Sequence, residues 1–369
     1  MKTAAMAGSL MFGFLTLPVC AQVTIEEIIE NVKRNEALYD EIDATMHDEF
    51  TIGDNKPLES QDGALKQMSS QTAVRHYVQQ GPMFRFERTG IGIRGSEGEA
   101  VSLDRIRAFD GTTTRVLEQS AIGNIMKGRA DDDRTIRPHT IFIEMEIATP
   151  LSTFFSGHEA VAAHPLGGKK YRERVTIATS YKGEVECRGL RCHKVWVTES
   201  SRGQPYDRRE FLLAEERNYL PVQMTSFTFN LSRDVPIARG EVAEFREVES
   251  GVWFPWSTTM TCYQPALLQR EGKQKLGWQQ RHTAESVSLH PAYDSAYFRD
   301  VPFPDGTAVY EVENRQIKKS YRTGTPSAPP AQGLGSRGRR WWAVLAAAAV
   351  ISVASVLIYK FRGHAAAPR

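Results

Sequence analysis

Apolar and polar residues alternate with period two through much of the chain's second half. Val175, Ile177 and Thr179 alternate with Arg174, Thr176 and Ala178. Gly183 and the Arg188-Gly189 pair break that run, and residues 192–197 resume it. Residues 211–213 and 222–229 follow in the same style. After the turn signal Glu249-Ser250-Gly251, the residues Val252, Phe254, Trp256, Thr258, Met260 and Cys262 fall on one side of another run. Period-two spacing bounded by Gly, Asn and Ser predicts a meander of antiparallel strands over residues 171–263.

The first half mixes two helical stretches with shorter strand-like runs. Residues 24–39 read as a helix. Thr24 caps it, Glu27 completes a capping box, and Ile25, Ile28, Ile29 and Val32 form one apolar face. Such a helix lies on a body and covers something. Residues 149–163 read as a second helix, with Thr149 as cap, Pro150 at the first helical position and Leu151, Phe154 and Phe155 on one side. Gly157 weakens it. Strands are expected at 43–52, 73–78 and 83–88, and in the last of these Phe84 and Phe86 share a face. Asp110-Gly111 predicts a hairpin between 101–109 and 113–118. Residues 55–71 and 123–137 are expected to be loops, and 141–147 fit strand or helix. Residues 276–289 add a long strand, 309–312 a short one, and the body is expected to end near Lys319. The fold class expected from these elements is α+β, mainly β.

The two ends read differently from the body. A basic start, an apolar run over 4–17 and the small-residue site Val19-Cys20-Ala21 predict a signal peptide spanning residues 1–21. Residues 17–20 resemble a lipobox, but Val19 is larger than the residue needed before a lipidated cysteine. Residues 341–359 are uncharged and at 1.5 Å per residue reach roughly 28 Å, enough for a transmembrane helix. Trp341, Trp342 and Tyr359 stand at its ends as interfacial residues do. The stretch 320–340, rich in Pro, Gly, Ser and Ala, is expected to be a flexible linker, and 360–369 a short cytoplasmic tail. Export of the start places the body, residues 22–319, on the periplasmic side of a single-pass anchor.

Composition changes this picture little. The chain of 369 residues is 41% hydrophobic and 24% charged, with net charge +2, much of the excess base lying near the C-terminus. That distribution gives no argument for nucleic acid. Cys187 and Cys192 flank Arg188-Gly189-Leu190-Arg191, read as a four-residue hairpin loop, where a cross-strand disulfide is a candidate, the alternative being two free thiols.

Candidate chemistry is sparse. Gly90-Ile91-Gly92 does not extend to a phosphate-binding loop, and no nucleophile elbow is present. Asp131-Asp132-Asp133 lacks the spacing of a calcium loop, so no metal site is expected. His139, His193, His282 and His290 are scattered and are expected at the surface or in hairpins. Glu144, Glu146 and Glu159 could serve as acid and base, but nothing sets them across a scissile bond. What remains is apolar bulk. Phe84, Phe86, Trp196, Phe211, Phe254 and Trp256 can face one side of a curved sheet, with Phe154 and Phe155 on the helix that lids it. They form either a sealed core or the lining of an apolar cavity for an acyl chain or apolar peptide.

The order of hairpins carries a resemblance. Tyr181-Lys182-Gly183-Glu184-Val185-Glu186 turns through Gly189 into Lys194-Val195-Trp196-Val197. Leu212-Leu213-Ala214 leads to Arg217-Asn218-Tyr219-Leu220-Pro221-Val222, and Gly251-Val252-Trp253-Phe254-Pro255 opens a further strand. Over residues 23–312 this pattern resembles the LolA/LolB-like superfamily of outer-membrane lipoprotein carriers and their relatives. The resemblance implies an unclosed β-barrel, a curved antiparallel sheet with helices covering its concave side. It also implies non-enzymatic binding of lipid or lipoprotein acyl chains, without a cofactor. Two other readings stand beside it. One is a regulatory interaction module with an envelope protein partner, like the LolA-like domain of RseB-type sigma regulators. The other is an envelope hydrolase, which needs a convergent polar site.

Overall fold

The computed structural model describes residues 23–53, 68–94, 99–119, 121–128, 137–140, 149–164, 167–313 and 316–324. The expected signal peptide, transmembrane helix and tail, the three aspartates at 131–133, and residues 141–147 lie outside them. Among the described residues no helix is long and apolar enough to cross a membrane.

The chain begins with helix α1 (Ile25–Glu36), followed by strands β1 (Ile42–Ile52), β2 (Met68–Gln80), β3 (Met83–Arg94) and β4 (Glu99–Ser102). Three short strands come next: β5 (Arg105–Phe109), β6 (Thr113–Glu118) and β7 (Ile122–Lys127). Short helices α2 (Leu151–Phe155), α3 (His158–Ala163) and α4 (Gly168–Glu173) lead into a meander. It comprises β8 (Val175–Cys187), β9 (Leu190–Ser201), β10 (Gln204–Ala214), β11 (Leu220–Thr228), β12 (Ala238–Glu249) and β13 (Val252–Tyr263). Helix α5 (Pro265–Glu271), β14 (Leu276–Ser288), α6 (Ser295–Arg299), β15 (Ala308–Glu313) and β16 (Gln316–Arg322) complete it.

All sixteen strands among the described residues belong to one sheet, ordered β16-β15-β7-β6-β5-β3-β2-β1-β14-β13-β12-β11-β10-β9-β8, with β4 added beside β3. The two ends of that path do not pair, so the barrel is unclosed. The sheet is mainly antiparallel, as expected, but β15 runs parallel to β7. The cause is the return path: the chain reaches β15 from the segment after β14, not from a hairpin with β7.

One face of the sheet carries the main core. Phe84 and Phe109 on β3 and β5 share a cluster with Ile177, Val195, Val197 and Phe211 on β8 to β10. A flat sheet with strands ~4.8 Å apart would spread β5 and β8 by about 48 Å. The sheet instead bends around the helices, and this is its concave side. Ile28 and Val32 of α1, Leu151, Phe154 and Phe155 of α2, and Val161 of α3 fill it.

Local chemistry explains the lid. The capping box of α1 forms as read: Glu27 N donates to Thr24 Oγ1, and Thr24 N to Glu27 Oε2. The second helix departs from expectation. It breaks into α2 and α3 at Gly157, whose φ of +90° and ψ of −166° suit glycine alone. Pro150 is the N-cap and Thr149 lies before it. Glu36, from the end of α1, accepts hydrogen bonds from Leu151 N, Ser152 N and Ser152 Oγ, so one helix caps the next.

Three other expectations are corrected. Residues 68–71, read as loop, begin β2, and 122–127, read mainly as loop, form β7. Gly183 does not end a strand; β8 passes through it with a register shift between Tyr181 and Glu184.

The convex face is covered in part by the strap between β14 and β15. Phe298 is fully buried there, and Arg85 donates to the carbonyls of Tyr297 (2.6 Å) and Asp300 (3.1 Å). Val301 and Phe303 pack on Ala108 and Leu117. His76 Nε2 lies 2.8 Å from Asp43 Oδ1, and Tyr293 Oη donates to Asp43 Oδ2 at 2.6 Å.

Candidate functional site

The concave surface holds most of the apolar candidates. Phe84, Phe154, Phe155, Phe211 and Phe254 are buried within the main cluster, and Phe86 and Trp256 pack at its margin. Phe154 and Phe155 present edges to Phe211, with ring centroids 6.5 and 5.1 Å apart. Together they fill the concave face as a packed core.

Trp196 is the exception. Val195 and Val197 point into the core, so the alternation turns Trp196 to the convex side. There it lies among cations, with Arg208 at 4.4 Å, Lys182 at 4.8 Å and Lys194 at 5.4 Å from the ring centroid. An open recess of about 770 Å³ is lined by His47, Glu49, Val74, Thr89 and Ile91 among others, and none of the eight candidates borders it.

The concave face is also more polar than its sequence suggested. Asp48, 2% exposed, meets Arg75, whose Nη2 donates to Oδ1 at 2.9 Å. Arg75 Nε lies 2.5 Å from Oδ2, close in distance but not aligned as a hydrogen bond. His282 Nδ1 is 2.7 Å from Asp48 Oδ1 and 2.6 Å from Arg75 Nη2. Because arginine only donates, a proton on Nδ1 goes to Asp48, while a bare Nδ1 accepts from Arg75; the two states exclude each other. Burial pushes the Asp48 carboxyl up, but the His282 hydrogen bond and the Arg75 charge outweigh it and hold the carboxyl below its usual range.

The register extends this cluster into a row of like charges. Arg75 stands directly opposite Arg88, and Arg88 directly opposite Arg105. Arg107 follows two residues on and points to the same side. Arg105 pairs with Glu118 at 3.2 Å and keeps 39% of its side chain exposed. Arg88 Nη2 donates to Gln71 at 3.0 Å. The Nε atoms of Arg88 and Arg105 are buried with no acceptor.

A second buried ion pair lies further along the same face. Glu199 contacts Arg209 and accepts from Tyr206 Oη (2.6 Å) and Tyr171 Oη (3.1 Å).

The histidines are corrected in part. His139, His193 and His282 are buried; His290 is exposed, as expected. His139 Nε2 pairs with Asn218 O at 3.0 Å, and His193 stacks on Tyr219 at 5.5 Å. Glu159 is exposed on α3, while Glu144 and Glu146 lie outside the described residues. Among the described residues no group of three or more His, Cys, Asp or Glu could hold a metal.

The disulfide does not form. Arg188-Gly189 make a two-residue turn with φ of +54° and +75°, which sets Cys187 opposite Leu190 and Cys192 opposite Val185. The thiols are therefore diagonal neighbours and both are free. Diagonal cross-strand neighbours lie ~7–8 Å apart, beyond the ~4.4–6.8 Å between the Cα atoms of a disulfide.

No family model and no curated protein matches the sequence. Solved structures do match in shape. One is a DUF1329 family protein from Desulfovibrio piger, with TM-score 0.40, 10% identity, and coverage of 74% of this chain and 97% of that one. Another is a LolA superfamily protein from Nitrosomonas europaea, with TM-score 0.38, 10% identity, and the same coverage of 74% and 97%. At these identities and scores the likeness carries no inference about a ligand.

Proposed function

We propose that the chain is a non-enzymatic envelope protein that binds the acyl chain of a lipid or lipoprotein between its concave sheet and its helical lid. In this reading residues 1–21 export the body and residues 341–359 tether it, facing the periplasm.

One observation carries the reading: the apolar face is covered by helices, two of them very short, and not by a second sheet. α2 has five residues and α3 six, with a glycine break between them. Helices this short have no stability of their own. α2 therefore stays where Phe154 and Phe155 find apolar partners. An acyl chain offers the same kind of surface. At ~25 cal/mol per Å² of apolar area, exchanging two phenyl rings for a chain of similar area is close to neutral. Glu36 holds the start of α2 to α1, and Gly157 supplies a pivot behind it.

A photoactivatable fatty acid added to membranes containing the full chain tests this. Crosslinks are expected in peptides holding residues 151–155 and 211–213. Labelling that is absent, or spread evenly over the surface, refutes the reading.

A further inference from the structure

We infer that the arginine row on the concave face, centred on Arg88, is a binding site for a phosphate-bearing anionic group. This deepens the acyl-chain reading and rests on it for the lipid form of the ligand. Three features of the row support it.

The first is placement. Like charges directly opposite one another across a sheet destabilise it. Here Arg75, Arg88 and Arg105 occupy three successive opposed positions on β2, β3 and β5. Strand spacing puts adjacent members ~4.8 Å apart, so the row spans about 10 Å.

The second is compensation. Arg105 has Glu118, and Arg75 has Asp48. Arg88 lies between them with a neutral glutamine as its hydrogen-bond partner. The carboxylate acting on it is Asp48, which Arg75 and His282 already engage. The buried Nε atoms of Arg88 and Arg105 are donors with no acceptor. A tetrahedral oxyanion supplies several acceptors at once, and guanidinium forks bind phosphate oxygens in pairs.

The third is position relative to the apolar surface. Along β3 the inward residues run Phe84, Phe86, Arg88. Tyr77 lies opposite Phe86, and Arg75 opposite Arg88. On its β2 side this apolar lane ends at Arg75 and Arg88, while on its β5 side Arg107 stands opposite Phe86. That is the order an amphiphile needs: tail on the phenyl rings, phosphate on the row. The exposed part of Arg105 gives the head group a path to solvent.

The test uses the full chain in neutral detergent and the variants R88Q and R105Q. Its first arm is inorganic phosphate against sodium chloride at equal ionic strength, read as the unfolding midpoint. Phosphate is expected to raise the midpoint of the wild type and to do so much less for R88Q. In chloride, R88Q is expected to unfold no earlier than the wild type, since it relieves repulsion; a merely structural arginine would lower the midpoint. R105Q gives the same pattern if R88Q does not fold. The second arm compares photoactivatable lysophosphatidylglycerol with a monoacylglycerol of the same tail. The wild type is expected to prefer the phosphate lipid by about tenfold or more, and R88Q to bring that ratio near one. Loss of the phosphate effect in R88Q while neither lipid labels the concave face supports a site for a free phosphate ester and refutes the acyl-chain reading alone. Equal phosphate effects in wild type and both variants overturn the inference. Labelling of the wild-type concave face by both lipids to the same, non-zero extent also overturns it.

Discussion

Replacing Asp48 by asparagine isolates the weight of the buried polar cluster. The carboxylate is 2% exposed, accepts from Arg75 and lies beside His282 Nδ1. D48N keeps one acceptor for Arg75 Nη2 but turns an amide donor toward Arg75 Nε, and it removes the charge. Removing one partner of a buried ion pair costs about 3–5 kcal/mol, because the other charge stays buried. The arginine row pushes D48N toward the upper end, since Arg75 and Arg88 then face each other without a carboxylate. R75Q is expected to cost less: it strands Asp48, which His282 can still serve, while relieving repulsion on Arg88. The double variant D48N/R75Q should recover part of the loss, giving a coupling energy of at least ~1 kcal/mol. Urea unfolding followed by tryptophan fluorescence measures all three. The pH dependence has a definite sign. The folded carboxyl is held below its ordinary value near 3.9, so its contribution is complete above that value and fades as pH falls through the lower folded one. D48N should flatten that acid limb. A loss under ~1 kcal/mol in D48N at pH 7, or an unchanged acid limb, refutes this account of the cluster.

Phe155→Ala removes a fully packed ring from the lid and is expected to cost about 3–5 kcal/mol in urea, with added fatty acid restoring part of it. His76 should make the strap pH-sensitive. Its hydrogen bond to Asp43 raises the imidazole above its ordinary value near 6.5, so the stabilisation is complete below that value and is lost as pH rises through the folded one. H76Q should remove that decline from midpoints measured at increasing pH. Burial pushes the Cys192 thiol up to about 12, so a maleimide at pH 7.5 should label Cys187 well before Cys192, and oxidised protein should show no 187–192 bridge.

The hairpins were legible because turn chemistry is local. Asp110-Gly111, Arg188-Gly189 and Ser250-Gly251 each lie at a strand boundary. The capping box of α1 was legible for the same reason. The choice of face was not. Period two divides β9 into Val195 with Val197 and Trp196 with Lys194, but both sets carry apolar bulk; the core took the valines. The inward arginines were missed because a charged residue in a strand reads as its solvated side. Only the register, joining β1 to β14 and β2 and then β2 to β3, reveals that Asp48, Arg75, Arg88 and His282 share the concave face. β7 was missed because its six residues include a glycine and only one of its two partners, β6, is local; the other, β15, lies almost two hundred positions later.

The location of β1 has a consequence for how the molecule is made. It pairs with β2 on one side and with β14 on the other, joining Asp48 to His282 across 234 positions. Loop closure over that separation is slow, and local hairpins cannot substitute for it. As the polypeptide emerges, one rim of its first long strand stays unsatisfied until nearly the whole body is available. Assembly thus waits on the late arrival of a single distant segment, and a protein cut short before Leu276 would present an open, adhesive border to its neighbours.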